Sequence, residues 1–298
     1  MNTPIDISVV TVAFNSAGCI GECLKSVQAQ QGVRFETVVV DNASSDETAA
    51  VVRNIRGVTL LANRENIGFG RGCNQGASAG RGRFLFMLNP DACLDQTDGL
   101  ARLCQTMDAN RAWALAGTRI IRPDGRVEAP GEKEYPDQRR VHRDFSKLPG
   151  AIAWVVGASM VIRREMFDQV GGFDPAFFLY SEETDLCLRL RERGWGIGYI
   201  PDVTVRHIGE ASEQGSDPYH KFLRRMTGMH LFWKKHYPPD DVRRIVRLDW
   251  FRSSFRAQWY SLAACFGGRG SRAWIKQREY AAIREASRRF LWPVEGHH

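Results

Sequence analysis

Glu182, Glu183 and Asp185 crowd one stretch, YSEETDLCLR. Clustered like charges raise one another's pKa, and a carboxylate beside a substrate hydroxyl can serve as a general base. The same three at a helix start would also complement the macrodipole. A second feature is FLFMLNPDACL, in which an apolar run meets Asn89-Pro90-Asp91. Pro90 fixes φ and offers no N–H, so a strand ends there and Asp91 is held rigidly at its end. Such a carboxylate suits a hard divalent cation, Mg²⁺ or Mn²⁺, that also grips a diphosphate; it equally suits a turn. Asp41 closes VVVD, where it can accept a hydrogen bond from a nucleobase or cap a turn. His207 closes VRH, as a ligand for metal or phosphate or as a structural residue. NRENIGFGRGCNQG resembles a dinucleotide fingerprint, but Cys73 and Gln75 stand where a third glycine is required. It reads as a Gly-rich turn or as a loop for close ligand approach, with Arg71 aimed at a phosphate.

These residues need elements to position them. ISVVTVAF (7–14), 35–40, VTLLAN and RFLFMLN read as buried strands. Between them fall helical patterns: IGECLKSVQAQ, residues 47–55 capped by Ser45 or Asp46, and NQGASAG. Alternating strands and helices predict an α/β fold with a mainly parallel, Rossmann-like sheet flanked by helices. The four loops after its strands, Phe14-Asn15, Asp41-Asn42, 63–72 and 89–91, would then converge at the carboxyl edge. The stretch from Ile120 to Phe145, with a hairpin signal at Pro123-Asp124-Gly125, reads as an irregular insertion across that edge. A strand and short helix follow in AWVVGASMVIRREMFDQVGGFD, then a helix in SEETDLCLRLRERGW and a strand pair in GIGYIPDVTVRHIG. From about Asp217 long helices are expected, the last two near 240–264 and 272–290.

With 298 residues, 43% hydrophobic and 25% charged, the composition is that of a globular protein able to bury a core. No apolar run is long enough to span a membrane, and the start of the chain shows no secretory signal pattern. Seven scattered cysteines without a CxxC suggest reduced thiols in the cytoplasm, not a disulfide or zinc framework.

Taken in order, SVVTVAFNS, VVVDNASSD, NRENIGFGRGCNQG, LNPDA, VVGASMVIRRE, VGGFDPAFFLYSEETDLCLRLRERGW and VRHIGEAS resemble the inverting family 2 glycosyltransferases of GT-A fold, in their bacterial rhamnosyltransferase-like branch. The resemblance implies a GT-A catalytic domain over 1–212. It places Phe14, Asn15 and Asp41 around the nucleotide, and Asn66, Arg71 and Asn74 along the nucleotide-sugar pocket. Asn89-Pro90-Asp91 stands where the family carries its DxD motif, leaving Asp91 as the metal carboxylate, with His207 near the metal or diphosphate and Mg²⁺ or Mn²⁺ as cofactor. Glu182-Glu183 replaces Glu-Asp, which makes Glu183 the expected base; Glu182 and Asp185 stay open as alternatives. The donor expected from this branch is dTDP-L-rhamnose, with UDP- and GDP-sugars open. The acceptor would be a glycan or a polyprenyl-diphosphate-linked intermediate of bacterial surface polysaccharide, in the cytoplasm or at the inner face of the cell membrane. Two other readings stand beside it: a nucleotide-sugar-binding scaffold without transfer activity, and an NAD-dependent oxidoreductase that the broken glycine pattern disfavours.

The net charge of +7 lies at one end: residues 210–298 hold 17 Lys and Arg against 9 Asp and Glu, so the first 209 sum to about −1. Residues 213–298 thus form a basic helical region in which arginines interleave with aromatic residues. It reads as an appendage packed on the rest, as a peripheral membrane-surface element, or as a homodimer interface. No nucleic-acid-binding motif accompanies the charge.

Overall fold

The computed structural model describes residues 4–129, 131–209 and 217–293. The chain divides into two compact units: Met1–Tyr135 with Ser146–Phe178 and Glu182–Ser212, and Pro136–Phe145 with Leu179–Ser181 and Glu213–His298. The boundary expected at 212/213 lies outside the described residues, as do 210–212 of the VRHIGEAS piece and the closing GHH. The division also draws 136–145 and 179–181, which no composition shift marks, into the second unit.

In the first unit β1 (Ile7–Ala13), β2 (Phe35–Asp41), β3 (Val58–Ala62), β4 (Phe84–Leu88), β5 (Ala92–Leu94), β6 (Trp113–Ile121), β7 (Ser159–Arg163) and β8 (Gly196–His207) form one sheet, ordered β3-β2-β1-β4-β7-β6-β8-β5. The half from β3 to β4 is parallel throughout, as the alternating pattern predicts. Beyond it the sheet is mixed: β7 runs antiparallel to β4 and β6, whereas β6 and β8 are parallel. Residues 196–207 form one strand, not the expected pair, with a register break against β6 where Ile200 and Thr204 face Thr118 and Arg119. Helices α1 (Ile20–Gln28), α2 (Thr48–Arg53), α3 (Phe69–Ala79), α4 (Gly99–Ala109), α5 (Arg164–Gln169) and α6 (Glu182–Glu192) complete the unit.

Both sheet faces are buried. Val10, Val12, Leu85, Met87, Met160 and Ile162 pack into one core cluster, and their neighbours Ile7, Val9, Phe84, Phe86, Leu88 and Val161 into another. The period of two along each strand sends alternate residues to opposite layers. Only three residues join β4 to β5, yet β5 pairs with the far strand β8. Four flat inter-strand spacings would need about 19 Å, and the connection reaches roughly 14 Å at most. The sheet therefore curls, bringing the end of β8 back beside the Asn89-Pro90-Asp91 turn.

The second unit carries α7 (Pro218–His236), α8 (Pro239–Gly267) and α9 (Arg272–Leu291), close to the helices expected there. No helix among the described residues is long and apolar enough to cross a membrane.

Candidate active site

The carboxyl ends of β1, β2, β3 and β4 share one edge because their pairings are all parallel. Loops meet there through side chains. The Asn15 backbone N–H donates to Ser44 Oγ at 2.9 Å, and Asn15 Oδ1 accepts from the Ser45 N–H at 2.8 Å. Ser16 N–H donates to Thr48 Oγ1, and Ala17 N–H to Asp46 Oδ2. Asp41 is buried and accepts from Ser44 Oγ and N–H, so it caps its turn, as one of the two readings held. Phe14 is exposed beside this lattice. Asn42 bridges further, donating to the Gly68 carbonyl at 3.0 Å while its Oδ1 accepts from Asn63. Ser44 and Thr48 were not singled out from the sequence. The polar density of VVVDNASSDET was the available signal.

The Gly-rich stretch is a helix. α3 begins at Phe69, earlier than expected, and two of its glycines face the sheet: a Cβ on Gly72 would lie 2.8 Å from Val12 Cγ1, and one on Gly76 would strike Val10. Gly68 sits at φ +90°, where a Cβ would land on the Phe178 carbonyl. Residues 173–178 are stitched to this helix. Phe69 N–H donates to the Phe178 carbonyl, and Arg71 Nε to the Pro175 carbonyl at 2.8 Å. Asn74 commits both ends of its amide to the Phe173 backbone, at 2.7 and 2.9 Å. Asn74, expected along the nucleotide-sugar pocket, thus ties α3 to the 173–178 segment. Asn66 Oδ1 accepts the Gly68 N–H, fixing the turn before α3.

After β4, Asn89 N–H bonds the Ala158 carbonyl at 3.0 Å, and the chain turns through Pro90 to Asp91. Asp91 Oδ1 lies 3.2 Å from His207 Nε2, and Asn89 Nδ2 lies 3.5 Å from the same ring nitrogen. Both Asp91 and His207 are largely buried. An oxygen and a nitrogen donor turned toward each other fit an open cation site completed by phosphate oxygens and water. No group of three or more His, Cys, Asp or Glu ligands occurs among the described residues.

The α6 carboxylates are sorted by burial. Asp185 is fully buried and pairs with Arg189, Nε to Oδ2 2.7 Å; Arg189 also donates to the Val170 and Gly172 carbonyls. The pair is structural, which removes Asp185 from the contest for the base. Glu182 is buried beneath α3, its Cβ 3.7 Å from the position of a Gly70 Cβ, and its Oε2 has no hydrogen-bond partner. Burial pushes its carboxyl well above the usual range, and the Glu183 charge adds to the shift. Glu183 is half-buried, with Cβ, Cγ and Cδ 3.7–3.8 Å from where a Gly157 Cβ would stand. Gly157 adjoins Ala158, the partner of Asn89. A continuous run of contacts thus joins Asp91, His207, Asn89, Ala158-Gly157 and Glu183. Two non-glycine residues of the β1 and β2 loops, Asn15 and Ala43, have positive φ. Strain of this kind clusters at functional sites.

A family model described as glycosyl transferase family 2 matches residues 8–171. An N-acetylglucosaminyl-diphospho-decaprenol L-rhamnosyltransferase of Mycobacterium tuberculosis is 26% identical, covering 98% of this chain and 99% of its own length. Rhamnosyltransferase WbbL of Escherichia coli is 20% identical over 67% of this chain and 83% of its own. Among solved structures, a mannosyltransferase of Pyrobaculum calidifontis in complex with GDP-Man and Mn²⁺ superposes with a TM-score of 0.60 at 19% identity, covering 99% of this chain and 89% of that one. GalNAc-T7 with UDP, GalNAc and Mn²⁺ gives 0.59 at 16%, covering 99% and 57%. At such identity these two speak for the GT-A fold alone.

Proposed function

The chain belongs to glycosyl transferase family 2, and on that premise we propose that it transfers L-rhamnose from dTDP-rhamnose, with inversion, to a hydroxyl of a glycan or polyprenyl-diphosphate-linked acceptor. The observation that carries the site assignment is the run of contacts from Asp91 through His207 and Asn89 to Glu183. On this reading Asp91 and His207 form the diphosphate-and-cation end of the site and Glu183 its base end.

Glu183 takes the proton of the acceptor hydroxyl. The oxygen attacks the anomeric carbon from the side opposite the diphosphate, whose C–O bond breaks with its electron pair leaving on the phosphate. One base suffices because no covalent sugar–enzyme bond forms. Asp91 and His207 would hold Mn²⁺ or Mg²⁺, which supplies countercharge for the diphosphate. Arg71, anchored through Nε at Pro175, adds positive charge at the start of α3. Phe14, Asn15 and Asp41 flank the nucleotide from the β1 and β2 loops. Asp185, paired with Arg189, fixes α6 to the 170–172 turn, and Asn66 and Asn74 hold α3 and the 173–178 segment in place.

The donor and acceptor rest on likeness: the M. tuberculosis relative is named for a rhamnosyl transfer to a decaprenyl-diphosphate-linked sugar, and it matches nearly end to end. On this reading the reaction belongs to the assembly of a surface polysaccharide, in the cytoplasm or at the inner face of the cell membrane. The test is a calorimetric titration of dTDP, UDP and GDP, each with and without Mn²⁺. Tight, metal-dependent binding of dTDP supports the reading. Metal-dependent preference for UDP or GDP reassigns the donor, and no binding by any of them removes the site assignment.

A further inference from the structure

α8 has two faces. One is packed: Val242, Ile245, Val246, Ser253 and Ala257 are buried, Tyr260 stacks on Tyr280 of α9 at 5.6 Å, and Arg256 Nη1 donates to the Tyr280 hydroxyl. The other presents Leu248, Phe251, Phe255, Trp259 and Leu262, spaced i, i+3, i+7, i+11 and i+14 and so lying along one stripe. Phe251 is 58% exposed, Phe255 61%, Trp259 71% and Leu262 68%. Large aromatic side chains in a continuous exposed row mark a surface that meets something apolar.

The surrounding charge decides what. Residues 250–278 contain six cations and no carboxylate; Lys276 pairs with Glu279 and Arg278 with Asp217, which leaves Arg252, Arg256, Arg269 and Arg272 as the charge around the stripe. The carboxylates of α8 and α9 are already engaged inside the unit: Asp240 with Arg243, Asp241 with Arg244 and His142, Asp249 with Arg140, Glu279 with Lys276, and Glu285 with Arg288 and Arg289. A two-fold contact between copies through this stripe would set arginines against arginines with no acidic partner. A phospholipid surface supplies what a second copy lacks, an apolar layer under a plane of negative charge.

We propose that the exposed stripe of α8, Phe251, Phe255, Trp259 and Leu262 with its flanking arginines, lies on an anionic phospholipid bilayer as an in-plane anchor. This goes beyond the transferase reading and stands without it. The aromatic residues sink to the acyl boundary, while Arg252 and the cations of the α8–α9 junction meet phosphate headgroups. The helix lies on the bilayer and does not cross it.

The test uses the full chain and vesicles of phosphatidylcholine with or without phosphatidylglycerol. Co-flotation is expected with the anionic vesicles, at least about tenfold stronger than with neutral ones and weakened by roughly 0.5 M salt. Phe255→Ser with Trp259→Ser should lower it about tenfold, and Arg252→Gln with Arg269→Gln should remove the preference for anionic lipid. All four positions are exposed, and circular dichroism checks that the variants fold. Transfer to a water-soluble acceptor should be unchanged in them, which separates this proposal from the catalytic one. Failure of the unaltered chain to float with anionic vesicles overturns the proposal. So does equal flotation of the aromatic variant, or a stable dimer in light scattering that this variant dissociates.

Discussion

Asp91 Oδ1 and His207 Nε2 lie 3.2 Å apart, one in the turn after β4 and the other at the last residue of β8. The curl of the sheet creates this meeting, since Ala92 pairs with His207. If the two share a cation, Asp91→Ala should abolish the Mn²⁺ dependence of nucleotide-diphosphate binding and slow transfer at least about 100-fold. His207→Ala should weaken the metal dependence less, because waters can replace one imidazole. Titration of the diphosphate across a series of Mn²⁺ concentrations reads both. Unchanged metal dependence in Asp91→Ala would remove it from the site.

Glu183→Gln keeps the shape of the side chain against Gly157 and removes its basicity. Transfer should fall about 10³-fold while donor affinity stays within a factor of about two. Asp185→Asn acts differently. It leaves Arg189 without its charge partner in a buried setting and should cost about 3 kcal/mol of stability. The two variants are told apart by pairing single-turnover rates with thermal melts.

Glu182 titrates against the fold. Its folded-state pKa is raised, so between the unfolded value near 4.5 and the folded value the native chain holds a proton that the unfolded chain releases. The stability from this group is full at low pH and is lost as pH rises through that window. Glu182→Gln, neutral at every pH, should flatten the fall in Tm above about pH 5. An unchanged Tm–pH curve would show that the carboxyl finds a partner when it ionises.

The parallel half of the sheet was legible because β1, β2 and β4 are apolar runs ended by polar loops, a pattern that burial on both faces imposes. The second half was less so. The register break near Pro201 reads locally as a turn, so residues 196–207 looked like two strands, and only pairing with β6 shows one. The site segments were legible as polar residues at strand ends. Their division of labour was not, because it depends on burial: Asp185 and Glu183 are chemically alike in sequence, and only the Arg189 partner separates them. The Asn74 bonds to the Phe173 backbone were illegible for the same reason, since an amide that braces a backbone and one that lines a pocket share a letter. The glycines of α3 read equally as a ligand loop, and close contact with Val12 and Val10 explains Gly72 and Gly76.

That contact is testable. A Cβ at Gly76 meets Val10, and the helix must move away from β1 or the valine must shift. Gly76→Ala should destabilise by about 1–3 kcal/mol despite the higher helix propensity of alanine. Val10→Ala alone should also destabilise, by leaving a void. Together they should cost clearly less than their sum, since each relieves the other, and chemical denaturation of the four species measures the coupling.

His230 gives the second unit its own pH response. It is buried between the rings of Trp233 and Phe290, at 5.2 and 5.4 Å, and its Nε2 has no hydrogen-bond partner. Burial lowers its pKa from 6.5 to about 4. Below pH 6.5 the unfolded chain takes up a proton that the folded chain refuses until about pH 4. Stability is therefore lost as pH falls through that interval, by roughly 3 kcal/mol at its lower end. His230→Leu removes both the orphan nitrogen and the titration. Its Tm should equal or exceed that of the unaltered chain at pH 7.5 and exceed it by a widening margin down to pH 5. A margin that stays constant with pH would mean that the imidazole is protonated or solvated in the folded state, and that the buried site between Trp233 and Phe290 opens to water.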